Sequence, residues 1–275
     1  MRVKIRAEIM KPAFIPFNYQ YQLHSAIIGI INKSSPEYAE FLHKLGFAYE
    51  KEVEQFGKNT VVEKIYKYYT FSHLKFFPKI PTKGGFKNIR QVEFIFSTSV
   101  DKNFEHVILG LFADNQFHLQ FHNDNRVNFQ IQQVETLPEK NFSNKEKFLC
   151  LSPILVTTEI EKKKHHCLDY MIPDEREKFV ENLKQNLIRK YEGFYHKEFT
   201  GSQDFEFSFD PVYIAKKNGN ISKLISINKN NNNLKFKGFE APFSITADPE
   251  LIKMGYDSGF GANNAMGWGC VKKVE

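Results

Sequence analysis

A run of paired glycines near the C-terminal end constrains this chain more than any other stretch. It reads Gly259-Phe260-Gly261-Ala262-Asn263-Asn264-Ala265-Met266-Gly267-Trp268-Gly269. Glycine enters positive φ at no steric cost and lets a backbone come close to another group. Successive free N–H groups in such a turn form an anion-binding concavity. Two roles are therefore open: a loop that cradles a phosphate backbone, or a tight loop that packs two layers together. A dinucleotide-binding loop is excluded, because that fingerprint needs a strand before it, a helix after it and an acid about 20 residues on. Here Pro249 to Tyr256 reads as a helix before the loop, and only a short apolar run follows it.

Charge points to a partner. The 275 residues carry a formal charge of +6. From Lys58 to Arg90 stand eight basic residues (Lys58, Lys64, Lys67, Lys75, Lys79, Lys83, Lys87 and Arg90) against Glu63 alone, a local +7. The remainder is therefore close to neutral. A basic band interleaved with Phe and Tyr is the footprint of a phosphate-binding surface; the plainer reading is a solvated lysine face. The 28 Phe and 12 Tyr should mostly be core, with some rings free to act as stacking platforms for bases if the partner is a nucleic acid. Cys150, Cys167 and Cys270 lie far apart, with neither metal-ligand spacing nor an even count for a disulfide framework. No apolar run approaches the ~18 residues of a membrane helix, and Met1-Arg2-Val3-Lys4-Ile5 lacks a signal-peptide core. The expectation is a soluble protein of the reducing cytoplasm, with no membrane contact.

Periodicity gives the organisation. Val3, Ile5, Ala7 and Ile9 alternate as a strand that Pro12 and Pro16 break. Leu23, Ala26, Ile27, Ile30 and Ile31 recur at helical spacing, so Asn18 to Asn32 is a helix. Ser35-Pro36-Glu37 starts a second helix. Residues 47–66 give no clear pattern. Strands follow at Tyr66–Leu74 and Val92–Thr98, a helix at Asp101–Asp114, and strands at Phe117–Phe121 and Val127–Glu135. Residues 138–147 read as a linker. Phe148–Glu159 is strand-like with a kink at Pro153, Asp174–Tyr191 is a helix, and Phe205, Phe207 and Phe209 alternate as a strand. Lys223–Ile227 and Leu234–Phe239 flank the asparagine-rich stretch Asn228–Asn233, a hairpin tip or loose loop. Phe243–Ala247, a short helix capped by Asp248-Pro249, the glycine loop and a closing strand at Cys270–Val274 complete the chain. The expected class is α+β: two tandem ferredoxin-like (RRM-like) βαββαβ domains, residues 1–138 and 148–275, with a C-terminal glycine-rich loop.

Among nine histidines, His24 and His43 stand apart, because each sits on a helix beside its apolar stripe, next to Leu23 and Leu42. His118 and His122 lie near a turn, and His165 and His166 follow Lys162-Lys163-Lys164 in an exposed stretch. A rim histidine can reach a groove and move protons near neutral pH; it can equally be a half-buried side chain with a hydrogen-bond partner. No HExxH, paired CxxC or aspartate cluster proposes a metal, and no cofactor is expected.

The glycine run, in spacing and position, resembles the C-terminal loop of the CRISPR-associated endoribonucleases that cut repeat RNA into guide RNAs, within the superfamily of repeat-associated RNA-binding proteins (RAMPs). The opening half is similar too, with a helix beginning near Asn18-Tyr19-Gln20-Tyr21, then Ser34-Ser35-Pro36 and a helix ending Phe41-Leu42-His43. The resemblance implies His43 as a catalytic residue, His24 as a second, and Lys67 in Lys67-Tyr68-Tyr69-Thr70-Phe71-Ser72 as their aid. Some members carry a tyrosine where this chain has Ile28, so a two-histidine site is implied rather than a tyrosine triad. The chemistry implied is metal-independent: the ribose 2′-hydroxyl attacks the neighbouring phosphate, one histidine takes its proton, the other protonates the leaving 5′-oxygen, and Lys67 steadies the phosphate charge. The products would be a 2′,3′-cyclic phosphate and a 5′-hydroxyl. RNA would be held by Gly259, Gly261, Asn263, Asn264, Gly267 and Gly269 and by Lys75, Lys79, Lys83, Lys87 and Arg90. The implied partner is CRISPR repeat RNA and its crRNA product, with a homodimer and CRISPR effector subunits as further partners. The alternative is a non-catalytic RAMP-type subunit that holds crRNA in an effector complex. A third reading, an unrelated single-strand RNA binder using exposed aromatics, finds no RNP1-like stretch and leaves the glycine loop unexplained.

Overall fold

The computed structural model describes residues 1–55, 58–121, 125–160, 164–229 and 232–274. The side chains of Lys58, Lys164 and His165, and residues His122, Lys162, Lys163, Asn230 and Asn231, lie outside them. In chain order the first half contains β1 (Arg2–Pro16), α1 (Gln20–Ser34), α2 (Pro36–Lys44), β2 (Phe47–Gln55), β3 (Lys58–Tyr66), β4 (Tyr69–Phe71), β5 (Lys75–Phe77), β6 (Ile80–Pro81), β7 (Gly85–Thr98), α3 (Asp101–Asp114), β8 (Gln116–Gln120) and β9 (Arg126–Leu137). The second contains β10 (Lys145–Cys150), β11 (Thr157–Ile160), β12 (Lys164–Cys167), α4 (Pro173–Tyr195), β13 (Glu206–Phe209), α5 (Pro211–Lys216), β14 (Ser222–Lys229), β15 (Asn232–Phe239), β16 (Phe243–Thr246), α6 (Pro249–Ser258) and β17 (Val271–Lys273).

The fold is mixed α+β around curled antiparallel sheet. One sheet runs β4-β7-β1-β9-β8, with β5 and β6 also paired to β7; the other runs β13-β16-β10-β17. Each has its own core. Val3, Ile5, Phe94 and Phe96 meet Leu23, Ile27 and Leu111 in the first; Phe148, Phe243 and Ile245 meet Phe179, Leu183 and Leu187 in the second. A smaller cluster puts Trp268 against Leu155, Ile225 and Ile227, where the β14–β15 hairpin covers the glycine-rich loop.

Helix starts follow the local chemistry. The Ser35 hydroxyl accepts from the Tyr38 N–H at 3.2 Å, and Pro36 opens α2. Asp248 caps α6 in the same way, accepting from the Glu250 N–H at 2.9 Å. Asp210-Pro211 carries the same signal for α5, a helix not expected from periodicity because it is only one and a half turns long.

Several boundaries differ from expectation. Pro12 and Pro16 do not end β1, which runs to residue 16 with register shifts against β7 between Glu8 and Ala13 and between Ala13 and Ile15. A bulge tolerates a residue that has no N–H to give. Residues 47–66 form a hairpin, with Phe47 opposite Tyr66. The strand expected over Tyr66–Leu74 divides: β3 ends at Tyr66, Tyr68 turns with φ 51, and β4 covers only Tyr69–Phe71. Lys67 therefore stands in a turn. Phe148–Glu159 divides likewise into β10 and β11.

The halves are locked together by buried polar contacts. Arg2, 3% exposed, donates to the carbonyls of Val271 and Tyr256 and lies over the Tyr256 ring. The Ser97 hydroxyl donates to the Asp257 carbonyl at 2.8 Å, and the Thr70 hydroxyl to the Trp268 carbonyl at 2.8 Å. The last contact docks the glycine-rich loop on β4, where the two halves meet.

Candidate functional site

A cleft of about 690 Å³ opens between the halves. From the first half it takes His24 of α1, Lys64 of β3, Lys67 in the turn and Tyr69 of β4. From the second it takes Asn182, Asn186, Arg189 and Lys190 of α4, Thr157 to Glu159 of β11, and Gly261 to Met266 of the loop.

His24 is 6% exposed on the core-facing side of α1. Its Nδ1 lies 3.2 Å from the Tyr69 hydroxyl. Burial pushes the Tyr69 phenol well above its ordinary pKa, so it keeps its proton. A neutral phenol can donate to that nitrogen or accept from it, so the contact holds the ring in place beside the cleft. Lys67 is carried by the turn that the left-handed Tyr68 creates. The Tyr68 hydroxyl donates to the Lys190 carbonyl at 3.1 Å, so α4 holds this turn in place.

His43 has a different setting. It is exposed in the last turn of α2 and is not among the residues lining the cleft. Its carbonyl accepts from Lys67 Nζ at 3.4 Å, which places it next to the lysine rather than beside His24.

The glycine loop is shaped mainly by internal packing. Gly261 has φ 79, and a Cβ there would collide with the Leu155 carbonyl; Gly267 has φ 84, and a Cβ would enter the Phe71 ring. Many of the loop's N–H groups are occupied: Phe260 donates to Gly269, Ala262 to Leu155, Gly267 to Asn264 and Gly269 to Pro153. Gly259, Gly267 and Gly269 are buried away from the cleft, so the surface the loop presents there is Gly261 to Met266, with Asn263 exposed. Asn264 is buried. Its Oδ1 accepts from Lys190 Nζ at 2.6 Å, and its Nδ2 donates to the carbonyls of Trp268 and Phe260 at 2.9 and 3.2 Å.

Lys190 is a site residue that the sequence reading does not single out. It is 2% exposed, and its ammonium also donates to the carbonyls of Gly259 at 2.7 Å and Gly261 at 2.8 Å. Desolvation lowers its pKa from 10.5 to about 7. The sequence does carry a signal: Phe179, Leu183 and Leu187 form the buried stripe of α4, and position 190 continues it with a charge.

The basic band does not form one surface. Lys64 and Lys67 line the cleft just described. Lys75 and Lys79 line a second cleft, about 1050 Å³, together with Lys4, Lys223, Lys272 and Lys273. The buried strand β4 lies between, so lysines before and after it in the chain face different openings. Lys75 is engaged by Glu93 at 3.1 Å, and Lys79 lies 5.7 Å from the Phe86 ring centre. Lys83, Lys87 and Arg90 are exposed on the β6–β7 hairpin and line neither cleft. Among the described residues, no group of three or more His, Cys, Asp and Glu side chains is gathered closely enough to hold a metal ion.

Residues 137–273 match the family model for the C-terminal part of the CRISPR associated protein Cas6. Over 276 residues the chain is 30% identical to the CRISPR-associated endoribonuclease Cas6 1 of Methanocaldococcus jannaschii, covering 100% of this chain and 93% of that one. The CRISPR-associated endoribonuclease Cas6 of Pyrococcus furiosus is 27% identical over 94% of this chain and 83% of its own. A solved structure of a CRISPR associated protein Cas6 superposes with a TM-score of 0.70 at 29% identity, covering 100% of this chain and 99% of that one.

Proposed function

The chain belongs to the Cas6 family of CRISPR-associated endoribonucleases, within the RAMP superfamily, and from that premise we propose that it cuts CRISPR repeat RNA at the cleft between its halves by metal-independent 2′-hydroxyl attack. One observation carries this reading: His24, Lys67 and the outer face of the glycine-rich loop come from distant parts of the chain to one opening.

In this reading the scissile phosphate lies between Lys67 and the loop. His24, held by Tyr69, exchanges a proton with the RNA from the inner wall. His43, exposed beside Lys67, exchanges the other from the open side. One acts as base on the 2′-hydroxyl and one as acid on the leaving 5′-oxygen, and Lys67 stabilises the charge that grows on the phosphate oxygens. The products are a 2′,3′-cyclic phosphate and a 5′-hydroxyl. Lys75 and Lys79 hold a further length of RNA along the second cleft, and Lys83, Lys87 and Arg90 attract it over the adjoining hairpin.

We read the scaffold as two ferredoxin-like domains, residues 1–138 and 148–275. The strand orders β9-β1-β7-β4 and β17-β10-β16-β13 support this, since each puts the fourth strand beside the first, then the third, then the second. The β8 edge strand and the β2–β3 and β14–β15 hairpins are additions to that plan.

The test pairs repeat RNA from the same genome with a matched RNA carrying a single 2′-deoxy at the cut position, both in excess EDTA. Cleavage of the first and survival of the second is the expected result. Tight binding without cleavage of either would replace this reading with the guide-RNA holder.

A further inference from the structure

The ammonium of Lys190 is an unusual object in a protein interior. An ammonium has three protons to donate and no capacity to accept. Here all three are placed, on the carbonyls of Gly259 and Gly261 and on Asn264 Oδ1. Those acceptors satisfy its hydrogen bonds but carry no net charge. A buried cation ordinarily needs an anion as well. None of the described carboxylates pairs with it. On its own helix, Glu192 is taken up by Lys51 and Tyr49. On α6, which packs against α4, Asp257 is taken up by Lys253 and the N-terminal ammonium. Facing the cleft, Arg189, Lys64 and Lys67 are cationic, His24 is bonded to Tyr69, and the carboxylate of the lining is the exposed Glu159.

We propose that Lys190 is the positioning residue of the glycine-rich loop: its buried ammonium pins Gly259, Gly261 and Asn264 from beneath and supplies the positive charge that an RNA phosphate meets at the loop's outer face. This rests on the reading of the cleft as the RNA site. The same residue reaches the other wall, since its carbonyl accepts from the hydroxyl of Tyr68, which is joined directly to Lys67. The phosphate is then the missing counter-ion, approaching a cation that none of the described carboxylates pairs with.

The linkage has a definite sign. Desolvation holds this group near 7 in the free protein. A bound phosphate favours the charged form and raises the pKa, so binding takes up a proton above neutral pH and affinity falls as pH rises. Exposed lysines, titrating around 10.4, contribute little at pH 8.

The probe is the repeat RNA with its single 2′-deoxy, which binds but is not cut. Wild-type affinity should fall on the order of tenfold between pH 7 and pH 8.5. Calorimetry at pH 8 in buffers of different ionisation enthalpy should report proton uptake. Lys190→Met should bind at least tenfold more weakly and lose both the pH limb and the uptake. Lys190→Gln keeps a donor for the loop carbonyls but no charge, and should also lack the pH limb. Wild-type affinity and pH limb in Lys190→Gln would reduce Lys190 to a structural tie and overturn the proposal. Should both variants fail to fold, the wild-type calorimetry decides, and an absence of proton uptake overturns the proposal. Wild-type protein that neither binds nor cuts repeat RNA removes the underlying reading as well, whereas a failure confined to the Lys190 measurements removes this inference alone.

Discussion

His24 and His43 sit in surroundings that mutation can separate. His43 is exposed, so His43→Ala should leave the fold intact and RNA affinity within a few fold. Loss of one proton-transfer group should lower the single-turnover cutting rate by about 100-fold or more. An unimpaired rate would take His43 out of the site. His24 is buried against Tyr69. His24→Ala should lower the cutting rate as well, and should also cost about 1–3 kcal/mol of stability in urea unfolding, because it leaves a buried hydroxyl short of a partner. A change in stability without a change in rate would make His24 a core residue. Both histidines are legible from their places beside Leu23 and Leu42. That His24 opens onto the cleft while His43 stands beside Lys67 is not legible, because it depends on how the turn at Lys67 and Tyr68 meets α4.

The glycine-rich loop behaves as an element in its own right, and its packed face and its open face belong to different residues. Gly267 is packed on Phe71, while Asn263 and its neighbours face the cleft. Gly267→Leu should therefore lower stability by about 2 kcal/mol or more, from a strained positive φ and a displaced ring. Chemical unfolding checks this; an unchanged midpoint would mean the loop is not packed as described. Elements with strong local signals are readable from the chain. The Ser35-Pro36 and Asp248-Pro249 starts and the helices α3 and α4 fall where spacing and capping place them. The misses share a cause. The continuation of β1 past Pro12 depends on a bulge against β7, and the shortness of β4 depends on the turn before it. Both are set by partners distant in sequence. Lys190 is hidden for a related reason: a lysine on a helix normally reads as surface, and only the loop packed above it makes it interior.

At the scale of the molecule, Tyr69 of β4 lines one cleft, and the residues from Ser72 to Phe77 just after it line the other. If RNA occupies both, its salt dependence should divide between them. Replacing Lys79, Lys223 and Lys272 together by Ala should lower the slope of log affinity against log salt by about 0.7 for each single-strand phosphate that these lysines neutralise. Cutting of RNA already bound at saturating protein should persist, since His24 and Lys67 line the other opening. An unchanged slope would take RNA out of the second cleft. The loop adds something of a different kind. Gly259, Gly261 and Asn264 are held by Lys190, and Asn264 in turn holds Phe260 and Trp268, so these hydrogen bonds are made within the protein itself. If this loop receives the RNA, its hydrogen bonds are in place before the strand arrives, and the ordering entropy of association falls on the nucleic acid. Discrimination between RNAs then becomes a question of which strand can adopt the bound shape at least entropic cost, so a repeat already bent toward that shape would be chosen over a floppier one offering the same contacts.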